Sequence, residues 1–185
     1  MGLSIEQKIY YGDNVFKVSG DDNVEVYRVE DATGEGMMTC YHVLPGIDLI
    51  YDDFHMQSCF SEMTPGIEMI SFDHCREGRL EWQFESGSYF YLQQGDMQIT
   101  TKERHQQHFG LPLSHYHGIT IAAYIEEATQ MLANVIGGIP VGLRVLKTKF
   151  CTGEKPFIMR ASDGVQHIFS ELYHIPDKIR FPYFI

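Results

Sequence analysis

Nine of the 185 residues are histidine, and in only one pair, His115 and His117, do the two stand two positions apart. On a β-strand, positions i and i+2 share a face. The pair could therefore offer two imidazoles to one zinc, iron or nickel ion, given a third ligand such as His55 or His105. The competing role is hydrogen bonding and packing, with His117 inside a β core and His115 on the loop before it. The sequence favours this second role, so neither a metal nor another cofactor is expected. His55, Cys59, His74 and Cys75 form a looser set of soft ligands. His74 and Cys75 are adjacent and face opposite sides of any strand, which leaves Cys75 as a small buried hydrophobe. No Ser/His/Asp or Cys/His/Asp set is legible by spacing, so no catalytic residue is assigned and the chain is not expected to be an enzyme.

A ligand pocket is better supported than a catalyst. Tyr51, Phe72, Trp82, Phe84, Tyr89 and Tyr91 lie on strand-like segments beside polar groups, and aromatic walls with a few placed donors suit a small molecule. The residues expected to bind it are His55, Arg79, Trp82, His115 and His117.

These side chains must be positioned by β structure, which the stretch 67–100 displays most clearly. Leu80, Trp82 and Phe84 alternate with Arg79, Glu81, Gln83 and Glu85, the pattern of a strand with one buried face. Turn signals at Arg76-Glu77-Gly78-Arg79, Glu85-Ser86-Gly87-Ser88 and Gln94-Gly95-Asp96 divide the stretch into a meander of three or four strands. Further strands are expected at Val24 to Val29, Met37 to Leu44, Ile47 to Phe54 and His117 to Ile125, with an exposed edge strand at Lys102 to Phe109. Residues 1–23, polar and rich in turns, are expected to be an arm, and 24–125 the β body.

After Ile125 the apolar period changes to about 3.6. Ile125, Ala128, Leu132, Val135 and Ile136 form one stripe, ended by Gly137-Gly138 and Pro140. Val165, Ile168, Phe169 and Leu172 form another behind an N-cap at Ser162, and Pro176 could open a third helix. Residues 126–185 are thus a helical subdomain. Strands first and helices last predict a mainly β fold with appended helices, a barrel or sandwich and not an alternating parallel sheet.

Composition narrows the function classes. With 14 basic and 25 acidic side chains the net charge is −11, which disfavours phosphate-backbone binding over most of the surface. The imbalance lies in residues 1–100 (5 basic, 18 acidic), and 101–185 hold 9 and 7. There is no secretory leader pattern and no apolar run near the ~18 residues of a membrane span. The four cysteines have no close pair, so a reduced, cytoplasmic protein without membrane contact is expected.

Four segments together carry a family resemblance: Asp73 to Phe84 (DHCREGRLEWQF), Tyr91 to Thr100 (YLQQGDMQIT), Leu111 to Ile121 (LPLSHYHGITI) and His167 to Arg180 (HIFSELYHIPDKIR). In order and spacing, from about residue 46 to 180, the chain resembles the N-terminal domain of AraC-family transcriptional regulators. The resemblance implies a cupin-like double-stranded β-helix (jelly-roll) barrel that binds a small-molecule effector, such as a sugar, a bile acid or another carboxylate-bearing metabolite. It further implies an antiparallel helical pair forming a homodimer through Val165, Ile168, Phe169 and Leu172. DNA would be bound only through a further helix-turn-helix domain that this chain does not contain. Enzymatic cupins resemble a G-x5-H-x-H-x3-4-E-x6-G pattern, from which this chain departs, since no glutamate follows His117 at the required offset. The alternative implied by the barrel is a metal-dependent cupin enzyme, an isomerase or dioxygenase, using His115 and His117.

Overall fold

The computed structural model describes residues 14–63, 68–83, 87–101, 105–135, 142–152 and 156–184. Alternating apolar and polar residues form β1 Val15–Gly20, β2 Val24–Asp31, β3 Gly34–Leu44, β4 Ile47–His55, β5 Ser58–Met63, β6 Met69–Gln83, β7 Tyr89–Gln93, β8 Asp96–Thr100, β9 His105–Gly110, β10 Tyr116–Tyr124 and β11 Phe157–Arg160. The helices are α1 Ile125–Val135, α2 Leu143–Phe150, α3 Asp163–His174 and α4 Asp177–Phe184. All strand pairings are antiparallel. One sheet runs β1-β2-β3-β4-β10-β6-β8-β11, and a second joins β5, β9, β6 and β7, so β6 belongs to both. The fold is a curled antiparallel half-barrel with helices appended, as the strand and helix patterns predict, and it fits the cupin-like barrel that the family resemblance implies.

The 15-residue β6 explains how the sheet closes. Its first part pairs with β10 and β8, and its last five residues pair with β7. Between them, His117 pairs with Glu77 and Gly118 with Cys75, which leaves Arg76 as one extra residue on β6. Gly78, next to this bulge, has φ +87°, and a Cβ there would lie 2.2 Å from the His115 carbonyl oxygen. A bulge sharpens twist and re-aims the strand. The turn expected at Arg76 to Arg79 is therefore a bulge inside one continuous strand.

Other differences have similarly local causes. Part of the expected arm is β1, which pairs with β2 and turns Val15 into the barrel. The expected edge strand, β9, lies between β5 and β6. Strands β5 and β11 and helix α2 had no expectation. The helical region is four short helices, not one antiparallel pair. The glycine-proline stop after Val135 lies outside the described residues.

Four apolar clusters follow from the two faces of the strands, the smallest being Met69 and Ala122. Inside the barrel, Tyr27, Val29, Cys40, Phe54, Trp82, Leu92, Leu111 and Tyr116 pack together. Outside, Ile70, Ile99 and Ala123 are covered by Ile125, Ala128 and Leu143 of α1 and α2. A second outer patch, Tyr41, Leu49 and Ile119, is covered by Phe169, with Val165 and Leu172 of the same helix packed against it. The amphipathic stripe of α3 is thus satisfied largely within the chain, as an isolated helix of this length requires. Among the described residues, no helix is long and apolar enough to cross a membrane.

Candidate functional sites inside and outside the barrel

The histidines expected to line a pocket come together, but on the outer wall. On β4, Leu49 and Tyr51 face outward toward the helices, and the same period places Asp53 and His55 on that face. Register pairs Asp53 with His117 across to β10. His55 Nε2 lies 3.0 Å and His117 Nδ1 3.4 Å from the same oxygen, Asp53 Oδ1. The rings of His55 and His117 are 5.4 Å apart, edge to face, and that of His115 is 6.2 Å from His117. The Nδ1 of His115 bonds the Leu113 carbonyl at 2.9 Å. Asp53 was missed by sequence reasoning. Its signal was its place in Asp52-Asp53-Phe54-His55, two residues before a histidine on a strand.

The other two expected ligand residues lie elsewhere. Trp82 is buried in the barrel interior, edge-on to Phe109, and its indole N–H finds no partner among the described residues. Arg79 lies on the opposite face of β6, over the Tyr91 ring at 4.1 Å and 2.5 Å from the Glu81 carboxylate. The set therefore divides into a histidine cluster, an interior tryptophan and an outer arginine. The side chain of His105 lies outside the described residues.

A second site, not anticipated, occupies the inner face. The positions sharing a face with Ile50 and Phe54 on β4 are Asp48 and Asp52, and the corresponding positions of β10 and β6 hold Thr120, Ser71 and Asp73. Asp73 accepts a hydrogen bond from Gln98 Nε2 at 2.6 Å and a long one from Ser71 at 3.4 Å. Asp73 and Gln98 are 4% and 8% exposed, yet Asp73 Oδ1 and Gln98 Oε1 have no hydrogen-bond partner among the described residues. Toward the barrel end, His42 Nδ1 is 2.7 Å from Asp48 Oδ1, and Tyr124 donates to Asp48 Oδ2 at 3.1 Å. His42 Nε2 is 3.5 Å from Glu25, which also accepts from Lys17 and Tyr27. Burial alone would raise the Glu25 carboxyl, but the Lys17 and Tyr27 hydrogen bonds and the nearby cations outweigh it and hold it below the usual range. Burial, with Glu25 beside it, raises the Tyr27 hydroxyl far above its ordinary value. A cleft of about 430 Å³ lined by His42, Asp48, Tyr124 and Glu127 opens at this end.

No disulfide joins the four cysteines. Burial pushes the Cys75 and Cys59 thiols up to about 12, helped by neighbouring carboxylates, and raises Cys40 further. These three are therefore not thiolate nucleophiles at neutral pH.

The likeness to known proteins is one of structure only. No family model matches the sequence, and no curated protein does. Solved structures with a similar barrel include the AraC-like transcriptional activator CuxR, 12% identical over 87% of this chain and 56% of that one, with a TM-score of 0.48. The EutQ protein of Clostridium difficile is 13% identical over 62% and 73% of the two chains, with a TM-score of 0.35. An oxalate decarboxylase variant from Bacillus subtilis is 10% identical over 88% and 49%, with a TM-score of 0.35. The chain thus spans about half the length of two of the three. The class that the fold itself defines is a curled antiparallel half-barrel with appended helices, and the similar proteins include, by name, a transcriptional activator and a decarboxylase. The expectation that the chain is not an enzyme is corrected on this point. Asp53, His55 and His117 bring three potential metal-ligand atoms within 4.8 Å of one another, a donor set that keeps metal-dependent catalysis open.

Proposed function

We propose that the chain is the effector-sensing and dimerising part of an AraC-type regulator, with the effector bound on the polar half of the barrel's inner face. The observation that carries this reading is the pair of buried, unpartnered acceptors, Asp73 Oδ1 and Gln98 Oε1. Leaving such a group unsatisfied costs about 1–3 kcal/mol, and a folding core has no use for that cost. A ligand that donates hydrogen bonds recovers it. The surrounding groups sharpen the ligand class: Asp48, Asp52 and Asp73 accept, and Lys17 and Tyr27 are already engaged by Glu25. The site therefore suits a polyhydroxyl compound or an amine, and repels the carboxylate-bearing effectors that the sequence had kept open. The family resemblance supplies the regulatory context, and DNA binding belongs to a further domain.

A thermal-shift screen of sugars, polyols and amines tests this. A ligand at a hundredfold excess over its dissociation constant stabilises the fold by about 2.7 kcal/mol. The shift should disappear in Asp73→Ala and Gln98→Ala while surviving His117→Ala. A hit unaffected by Asp73→Ala and Gln98→Ala, or a screen in which only carboxylates bind, would overturn the assignment.

A further inference from the structure

The outer-wall cluster plays no part in that effector site, and its geometry has a chemistry of its own. Asp53, His55 and His117 have side chains 54%, 63% and 32% exposed, so the core does not dictate their identity. Yet two imidazole nitrogens from different strands converge on one carboxylate oxygen, at 3.0 and 3.4 Å. A tetrahedral ion held at about 2.0–2.1 Å by each ligand sets those ligands about 3.3 Å apart. Both imidazole–carboxylate distances are already near that value, and all three ligand atoms lie within 4.8 Å of one another. We infer that Asp53, His55 and His117 form a binding site for a divalent transition-metal ion on the barrel's outer wall.

The surroundings fit such an ion. Glu35 is the strand partner of His55 and Glu77 that of His117, so carboxylates flank the imidazoles on both sides and attract a cation. Two imidazoles and one carboxylate suit zinc, nickel, cobalt or copper better than calcium or magnesium, which prefer all-oxygen shells. His115 lies outside the three-ligand group, with its ring 6.2 Å from that of His117. Its Nδ1–H is held by the Leu113 carbonyl. The competing cluster of Cys40, His42 and Asp48 lies inside the barrel, where His42 and Asp48 are already paired with each other at 2.7 Å.

Isothermal titration of the full chain with Zn²⁺, paired with the visible spectrum of bound Co²⁺, tests the site. One ion per chain is expected. Asp53→Asn, His55→Ala and His117→Ala should each weaken binding by at least about tenfold, the scale on which even residues that only support a ligand act. His167→Ala, on exposed α3 surface, should leave it unchanged. His55 is exposed enough that its variant folds, and circular dichroism verifies this. The inference is overturned if the wild type takes up no stoichiometric metal, if the three variants bind as tightly as wild type, or if binding is lost in His42→Ala instead. None of these outcomes bears on Asp73 and Gln98, so the effector reading stands or falls separately.

Discussion

At the scale of single residues, two positions carry more constraint than their types suggest. Tyr116 and Gly118 share the inner face of β10, and a Cβ on Gly118 would lie 2.4 Å from the Tyr116 hydroxyl oxygen. The ring cannot retreat easily, being 2% exposed and stacked on Phe54 with centroids 6.3 Å apart. Gly118→Ala should cost about 1–3 kcal/mol, the usual penalty for overpacking, read from the midpoint of urea denaturation. A loss below about 0.5 kcal/mol, typical of surface changes, would mean the ring does not lie over Gly118. His74 faces outward and stacks on Phe169, with ring centroids 4.3 Å apart. Burial, and then the Arg160 charge, lowers its pKa below the ordinary 6.5, against a smaller opposing effect of Asp96. A histidine depressed in the folded state takes up its proton more readily when unfolded. Its contribution to stability is therefore complete above about pH 6.5 and is lost as pH falls from there toward the folded pKa. Melting temperature should drop between pH 6.5 and 5 more steeply in the wild type than in His74→Gln. Equal slopes would remove His74 as the cause.

At the scale of elements, what could be read from the chain depended on whether a signal was local. Strands β2, β3, β4 and β10 and helices α1 and α3 follow apolar periods that need no partner to recognise, and they lie within a few residues of expectation. The bulge in β6 could not be told from a hairpin, because both demand a glycine at positive φ, and only the pairing of β10 across Gly78 decides between them. The same limit hid the inner site. Asp48, Ile50, Asp52 and Phe54 alternate on one face of β4, but the period does not say which face turns inward. His55 and His117 were consequently expected to line a pocket, and the inward aspartates were not singled out. The bulge carries its own prediction. Gly78→Ala forces a left-handed backbone on a residue with a side chain and drives its Cβ into the His115 carbonyl. It should destabilise by about 1–3 kcal/mol and, by shifting His115 and His117, weaken Zn²⁺ binding as well. A stable variant with unchanged metal affinity would show that β10 does not depend on the bulge for its placement.

For the molecule as a whole, the question is which apolar surface is left once the chain has covered itself. Of the four residues expected at a dimer interface, Val165, Phe169 and Leu172 pack against the chain's own barrel wall, because Leu49 and Ile119 on that wall need cover. Tyr51 fastens the same helix by donating to the Leu172 carbonyl at 2.9 Å. Ile168 remains 59% exposed, and on α4 Ile179 and Tyr183 are 53% and 61% exposed. Self-association, if this reading of the family likeness holds, runs through Ile168 and not through the full stripe. The two roles separate experimentally. Ile168→Asp changes a solvent-facing side chain, so it should alter stability by no more than about 0.5 kcal/mol while shifting sedimentation from dimer to monomer. Phe169→Ala instead opens a cavity beside His74 and should cost about 3–5 kcal/mol whatever the oligomeric state. A wild-type chain that sediments as a monomer at micromolar concentration would end the dimer proposal. An Ile168→Asp variant that stays dimeric would move the interface to another surface, with the exposed residues of α4 the next to test.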